Sequence, residues 1–191
     1  MAHVSIIGTG TMGHAIADVV TRGGNTAELL GHAEPGKPVT GEIVVLAVPY
    51  PALSDVLATR GGQLAGKVVV DITNPLNFET FDSLTVPADS SAAAEIAASL
   101  PQSRVVKALN TTLAATVASG AVGDLPTTVL IAGDDAEAKS LLADVLTAGG
   151  LRAIDAGSLR RARELEALAF LQITLAAQDK LPWTGGFAVV A

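Results

Sequence analysis

The sequence predicts an α/β protein built on a doubly wound parallel sheet, and three observations carry that reading. Short β-branched apolar runs alternate with helical segments along the whole chain. Apolar residues make up 49% of the 191 positions and aromatic residues 3%, so the core must be assembled from Ala, Val, Leu and Ile, as in buried parallel sheets. The first apolar run ends in Gly8-x-Gly10-x-x-Gly13 and passes directly into a helical pattern, a strand–turn–helix unit.

That unit is the dinucleotide fingerprint of Rossmann-type folds. Gly8 permits the tight turn, Gly10 lets the backbone approach a pyrophosphate, and Gly13 lets the helix pack closely on the strand. Thr9, Thr11 and Met12 fill the intervening positions. The free N–H groups at the start of that helix would face the phosphates.

The remaining elements follow in order. A second strand is predicted at Thr26–Leu30, entered through Gly23, Gly24 and Asn25. A third lies at 42–48, ahead of Pro49. The segment between them carries Pro35 and Pro38, which leave no room for a normal crossover helix, so this connection is short and irregular. A helix is predicted at 51–60, a strand at 67–72, a helix at 91–100 and a strand at 104–109. The polar stretch 77–90, between the strand at 67–72 and the helix at 91–100, is the longest candidate lid. Strands at 127–132 and 152–155 flank a helix at 135–148, and a final helix begins near Leu159. It forms a small C-terminal helical and strand extension with Leu165, Leu168, Leu171 and Leu175 at helical spacing.

Composition narrows the function classes. Net charge is −7 and no Lys/Arg cluster could track a phosphate backbone, which argues against nucleic acid. Cysteine is absent, which excludes disulfides, thiolate nucleophiles and Cys-based metal sites, and His3, His14 and His32 have no metal-ligand spacing. No apolar run approaches the length of a membrane-spanning helix, and no basic segment precedes an apolar one. The expectation is a cytoplasmic protein with no membrane partner.

In such sheets ligands occupy the crevice at the carboxyl ends of the strands. That selects Ala47, Val48 and Pro49 after the third strand, Asn74 and Pro75 after the fourth, and Asn110, Thr111 and Thr112 after the fifth. Each alone could merely end a strand, and Asn110 could cap a helix beginning at Thr111. A carboxylate at the end of the second strand would bind the ribose of NAD and repel a 2′-phosphate. Here Gly31 and His32 stand there with Lys37 nearby, which tips the choice to NADP. No Ser-His-Asp constellation appears and no catalytic acid–base residue is assigned. Hydride transfer to a second redox ring needs none, only two ring faces held together in a dry pocket.

The motifs resemble the coenzyme F420-dependent NADP oxidoreductases. The resemblance rests on the segments 8–13, 45–50, 69–76, 105–112, 131–135, 154–163 and 183–187, in order along nearly the whole chain. It implies hydride transfer between NADP(H) and a deazaflavin, coenzyme F420, in a homodimer. It also implies that residues 1–132 bind NADP, while 133–191 complete the substrate site and the dimer contact. By the same resemblance Gly8 to Gly13 hold the pyrophosphate, Val48 and Pro49 line the nicotinamide, and Asn110, Thr111 and Thr112 lie near the two rings. His32 departs from the family pattern, which has Arg at that place. Two rival expectations are a reductase of small imines or ketones, which would need a longer helical domain than the residues after Ala132 supply, and a non-catalytic dinucleotide-binding module.

Overall fold

The computed structural model of the chain describes residues 1–31 and 36–190. The elements are β1 (His3–Ile7), α1 (Thr11–Arg22), β2 (Thr26–Leu30), β3 (Ile43–Leu46), α2 (Leu53–Arg60), β4 (Val68–Asp71), α3 (Ala92–Ser99) and β5 (Arg104–Lys107). There follow α4 (Ala114–Ser119), β6 (Ala121–Val122), β7 (Leu125–Pro126), β8 (Thr128–Gly133), α5 (Ala136–Ala148), β9 (Arg152–Gly157) and α6 (Ala162–Ala177). Seven strands form one sheet in the order β2-β1-β3-β4-β5-β8-β9, and β6 and β7 make a separate hairpin.

Strand register positions the site. Leu30, Ile7, Leu46, Asp71 and Lys107 are successive partners across β2, β1, β3, β4 and β5, so five strands end in one row. Everything that follows these residues in sequence emerges along a single edge. The strands are nearly continuous Val, Ile and Leu because helices cover both faces. Val4, Ile6, Ile43, Val45, Val68, Val70 and Val106 face α1 and α5. Ile7, Val44, Leu46, Val69 and Val105 alternate to the other face, against α2 and α3.

Three features differ from the sequence expectation. First, β8 runs antiparallel to β5, and only two residue pairs join them, Val106 with Gly133 and Lys107 with Ala132. A parallel neighbour would need a crossover returning to the opposite edge of the sheet. The 20 residues between β5 and β8 instead form α4 and the β6–β7 hairpin, and β8 enters from the end at which β5 leaves. Second, α4 and the β6–β7 hairpin lie in a stretch to which the sequence assigned no element. Third, several strands stop short of their expected ends, at Leu46, Asp71 and Lys107, because the chain bends into turns there. Beyond β5 the bend is sharp: Leu109, fully buried, has a φ of 63°, a left-handed conformation that an L-residue with a large side chain rarely takes.

The final helix also packs differently from its leucine pattern. Its buried residues are Ala162, Leu165, Glu166, Ala169, Gln172, Thr174 and Ala176, while Leu171 is 51% exposed. Small and polar side chains let α6 come close to the strand ends, where hydrogen bonds replace leucine packing. No helix of the described residues is long and apolar enough to cross a membrane.

Candidate functional site

The three glycines of the first turn have separate structural reasons. A Cβ on Gly8 would stand 2.1 Å from the carbonyl oxygen of Ala47, and the φ of Gly8 is +126°. The β1 turn is therefore pressed against the end of β3, and only glycine fits. A Cβ on Gly13 would stand 2.4 Å from the carbonyl oxygen of Gly8, so α1 sits directly on the turn. Gly10 is different: nothing lies within 4 Å of the Cβ it lacks, and its φ of −78° suits any residue. Folding does not demand glycine there, and the space beside it is open.

Gly10 is also the N-cap of α1, with no side-chain cap and no acidic residue in the first turn. The N-termini of α3 and α5 are closed by Ser91 and Asp135, which accept from the N–H groups of Ala94 and Ala138. The start of α1, which like those of α2, α4 and α6 has no side-chain cap, offers N–H groups and the positive end of a helix dipole to an anion.

A groove of about 420 Å³ opens from this turn. Gly8, Thr9 and Gly10 form one part of its lining, Leu30 and Gly31 at the end of β2 another, and Ala47, Val48 and Pro49 a third. The outer wall is α2, through Ala52, Asp55, Val56, Thr59 and Arg60. The α2 wall was missed in the sequence. The available signal was that α2 follows Pro49 at once and must pack beside the strand edge. A pyrophosphate at Gly10 and an adenosine running toward β2 fit these walls, since the glycine turn is open where the phosphates would lie.

The other expected residues gather on a second part of the same edge. Asn74 donates to the Asn110 carbonyl at 3.0 Å, and Asn110 donates to Asn74 Oδ1 at 3.1 Å and to the Leu165 carbonyl of α6 at 3.0 Å. Asn110 is not a helix cap, because α4 begins only at Ala114, with Leu113 at its N-cap. Gln172 donates to the Thr111 carbonyl, Thr112 bonds back to Leu109, and both threonines are buried. Pro75 is buried between these segments and the 77–90 stretch, which pairs Leu76 with Leu84 and Thr85 with the Pro75 carbonyl. Two buried polar atoms in this region, Thr73 Oγ1 and Asn110 Oδ1, have no partner in the protein. Thr11 and Met12 lie on the first turn of α1, outside the lining of the groove. His32 lies outside the described residues.

Directly behind this edge is a charge network not anticipated from the sequence. Lys107 Nζ lies 2.8 Å from Asp71 Oδ2 and 2.9 Å from Glu166 Oε1, all three side chains fully buried, and it also donates to the Thr73 carbonyl. Glu166 in turn accepts from the N–H groups of Ala92 and Ala93 at the start of α3. Burial pushes the Glu166 carboxyl above its ordinary range, against the pull of Lys107. The signal was present: Asp71 and Lys107 are the charged ends of apolar runs and are partners in the sheet register. Nearby, Tyr50 donates to Glu95 at 2.6 Å, and burial together with that carboxylate pushes its hydroxyl well above its usual range. Among the described residues no cluster of His, Asp and Glu could hold a metal ion.

A glycine turn feeding an uncapped helix, at the carboxyl edge of a mostly parallel sheet, defines a Rossmann-type dinucleotide-binding fold. The profile of the family described as "NADP oxidoreductase coenzyme F420-dependent" matches residues 37–75. The F420-dependent NADP reductase of Methanocaldococcus jannaschii is 30% identical over 172 residues, covering 88% of this chain and 77% of that protein. A solved structure from Arthrobacter sp. FB24, provisionally assigned as an F420-dependent NADP-reductase, superposes with a TM-score of 0.82 at 27% identity, each chain covered in full. The metalloreductase STEAP3 of Rattus norvegicus is 36% identical over 127 residues, which are 66% of this chain and 25% of that protein. The chain belongs to the family of coenzyme F420-dependent NADP oxidoreductases.

Proposed function

We propose that the protein transfers a hydride between NADP(H) and the deazaflavin coenzyme F420. The observation that carries this reading is the glycine turn, open only at Gly10 and continued by the groove toward β2, in a chain of this family. When bound, NADP(H) and the deazaflavin would supply the redox chemistry, the exchange of a hydride, with solvent taking up or giving the accompanying proton.

The protein's part is to bind, orient and exclude water. Gly8 to Gly13 and the N-terminus of α1 bind the pyrophosphate, and Ala47, Val48 and Pro49 guide the nicotinamide away from the adenosine groove. Asn74, Pro75, Asn110, Thr111 and Thr112 form the floor on which the two rings meet. The left-handed Leu109 supports that assignment, because strained backbone is kept where a precise geometry is needed. So do the unpartnered Thr73 hydroxyl, which can donate to a carbonyl, and the unpartnered Asn110 amide oxygen, which can accept from an N–H. No acid–base residue is required, and orientation supplies the rate. The reading includes a homodimer in the cytoplasm.

The test mixes purified protein with NADPH and oxidised coenzyme F420 and follows the deazaflavin absorbance. Bleaching that depends on enzyme and on both coenzymes supports the proposal. NADPH binding without bleaching would leave a dinucleotide module with another acceptor or none.

A further inference from the structure

We infer that Lys107 is a positioning residue for the hydride transfer, holding both partners of the Asn110 amide so that Asn110 Oδ1 stands as a fixed acceptor for an N–H group of a bound ring. This role rests on the function proposed above and adds what keeps the ring floor in register. Lys107 is fully buried behind the strand ends and acts only through its neighbours.

Asn110 spends both amide protons inside the protein, one on Asn74 Oδ1 at 3.1 Å and one on the Leu165 carbonyl at 3.0 Å. Its Oδ1 is buried and has no partner. A reversed amide would set two oxygens against each other at Leu165, so the free atom is the oxygen. Asn74 is fixed in the same way, because its own amide donates to the Asn110 carbonyl. Lys107 stands behind both partners. Its ammonium has three protons and three acceptors, Asp71 Oδ2 at 2.8 Å, Glu166 Oε1 at 2.9 Å and the Thr73 carbonyl at 2.6 Å. The Thr73 carbonyl belongs to the peptide that carries Asn74, and the Thr73 N–H is held in turn by Asp71 Oδ1 at 2.8 Å. The Leu165 carbonyl belongs to the peptide that carries Glu166. One ammonium thus sets the two groups between which the Asn110 amide is stretched. Between Lys107 and Asn110 the chain passes through the left-handed Leu109, a conformation that must be held from outside. Replacing a buried ion network by apolar residues is often neutral or stabilising, so holding the fold does not account for this one.

The decisive variant loses the clamp and keeps the buried charge. Lys107→Met/Glu166→Gln removes one ammonium and one carboxylate together, and the new glutamine amide can still bond Asp71 and the N–H groups of α3. In nuclear magnetic resonance of the protein without coenzymes, the Asn110 side-chain amide protons should exchange slowly with solvent in the parent. They should exchange at least about tenfold faster in the double variant, because the local structure that protects them opens more easily. With both coenzymes, single-turnover hydride transfer should slow by at least about tenfold, the effect of a displaced ring, while NADPH affinity by calorimetry changes by less than about threefold. Glu166→Gln alone, which leaves Lys107 two acceptors, should move both readouts the same way by smaller factors. Asn110→Ala should slow transfer too, and adding the double substitution to it should cost less than about twofold more, since only uncoupled sites add their effects. Unchanged amide exchange in both variants, or rate losses that multiply with that of Asn110→Ala, would overturn the proposal. A loss of NADPH affinity as large as the loss of rate would overturn it as well, leaving Lys107 a role in the fold alone. A parent that binds NADPH but transfers no hydride to coenzyme F420 overturns the function proposed above and this role with it, whatever the exchange rates show.

Discussion

Gly8, Gly10 and Gly13 share one motif, yet a methyl group added to each meets different surroundings, and that difference predicts different phenotypes. At Gly8 it would collide with the Ala47 carbonyl in a backbone conformation closed to other residues. Gly8→Ala should therefore destabilise the fold itself, by roughly 1–3 kcal/mol from backbone strain, with the collision adding to it. At Gly10 the methyl group meets nothing, so Gly10→Val should unfold at nearly the same denaturant concentration as the parent while NADPH binding is lost. Retained NADPH affinity by calorimetry in Gly10→Val would remove the pyrophosphate from this turn. The spacing of the glycines was legible in the sequence because it is local. Their division of labour was not, since it depends on Ala47, which is remote in sequence. The same limit applied to Asn110: capping and ring-binding were both open from its neighbours alone, and only the approach of α6 shows its amide tied to Asn74 and Leu165.

At the scale of elements, strands and helices declared themselves by apolar period, and nearly all of them stand where the pattern predicts. The misjudged parts depend on connections instead. The orientation of β8 follows from a connection spent on α4 and the β6–β7 hairpin rather than on a return crossover, and the α2 wall and the α6 contact follow from packing between distant segments. The Asp71–Lys107–Glu166 network is the strongest of these contacts, joining β4, β5, α6 and the start of α3. Lys107→Met would leave two carboxylates buried together, and removing one partner of a buried pair costs about 3–5 kcal/mol. The expected result is a lower denaturation midpoint at unchanged slope. A shift of less than about 1 kcal/mol would show that water or rearrangement compensates. In the middle of the β1–β2 pair, burial raises the Glu28 carboxyl. Hydrogen bonds from Ser5 and Thr40 and the charge of His3 outweigh that and hold it below its ordinary value of 4.5. A carboxyl depressed in the folded state contributes stability above its unfolded pKa and loses it as pH falls through the folded one. Thermal unfolding of the parent should thus decline as pH falls below about 4.5, and Glu28→Gln should flatten that part of the acid limb. Identical acid limbs would show that the β1–β2 edge does not sense pH.

At the scale of the whole molecule, the C-terminal end leaves a surface that one copy does not cover. Leu171, Trp183, Phe187 and Val190 are 51%, 54%, 44% and 81% exposed, close together in sequence on α6 and the tail that follows it. The tail is nevertheless tied down: the Phe187 N–H donates to Gln172 Oε1, and Arg152 donates to the Val189 carbonyl. An apolar surface held in a fixed conformation suits association better than free solvation. Gln172 also holds the Thr111 carbonyl, so the tail and the proposed ring floor share one side chain. A second subunit seated on this surface would stabilise both. We therefore expect light scattering at micromolar concentration to give twice the mass of the chain. Trp183→Glu should shift the protein to a monomer with its circular dichroism unchanged. If the shared Gln172 matters, the same variant should slow hydride transfer more than it weakens NADPH binding, because a displacement of about 1 Å at a reacting ring can cost a hundredfold in rate. A parent protein that is monomeric at that concentration would leave the exposed tail without a partner of its own kind. A dimer unaffected by Trp183→Glu would move the interface to another face.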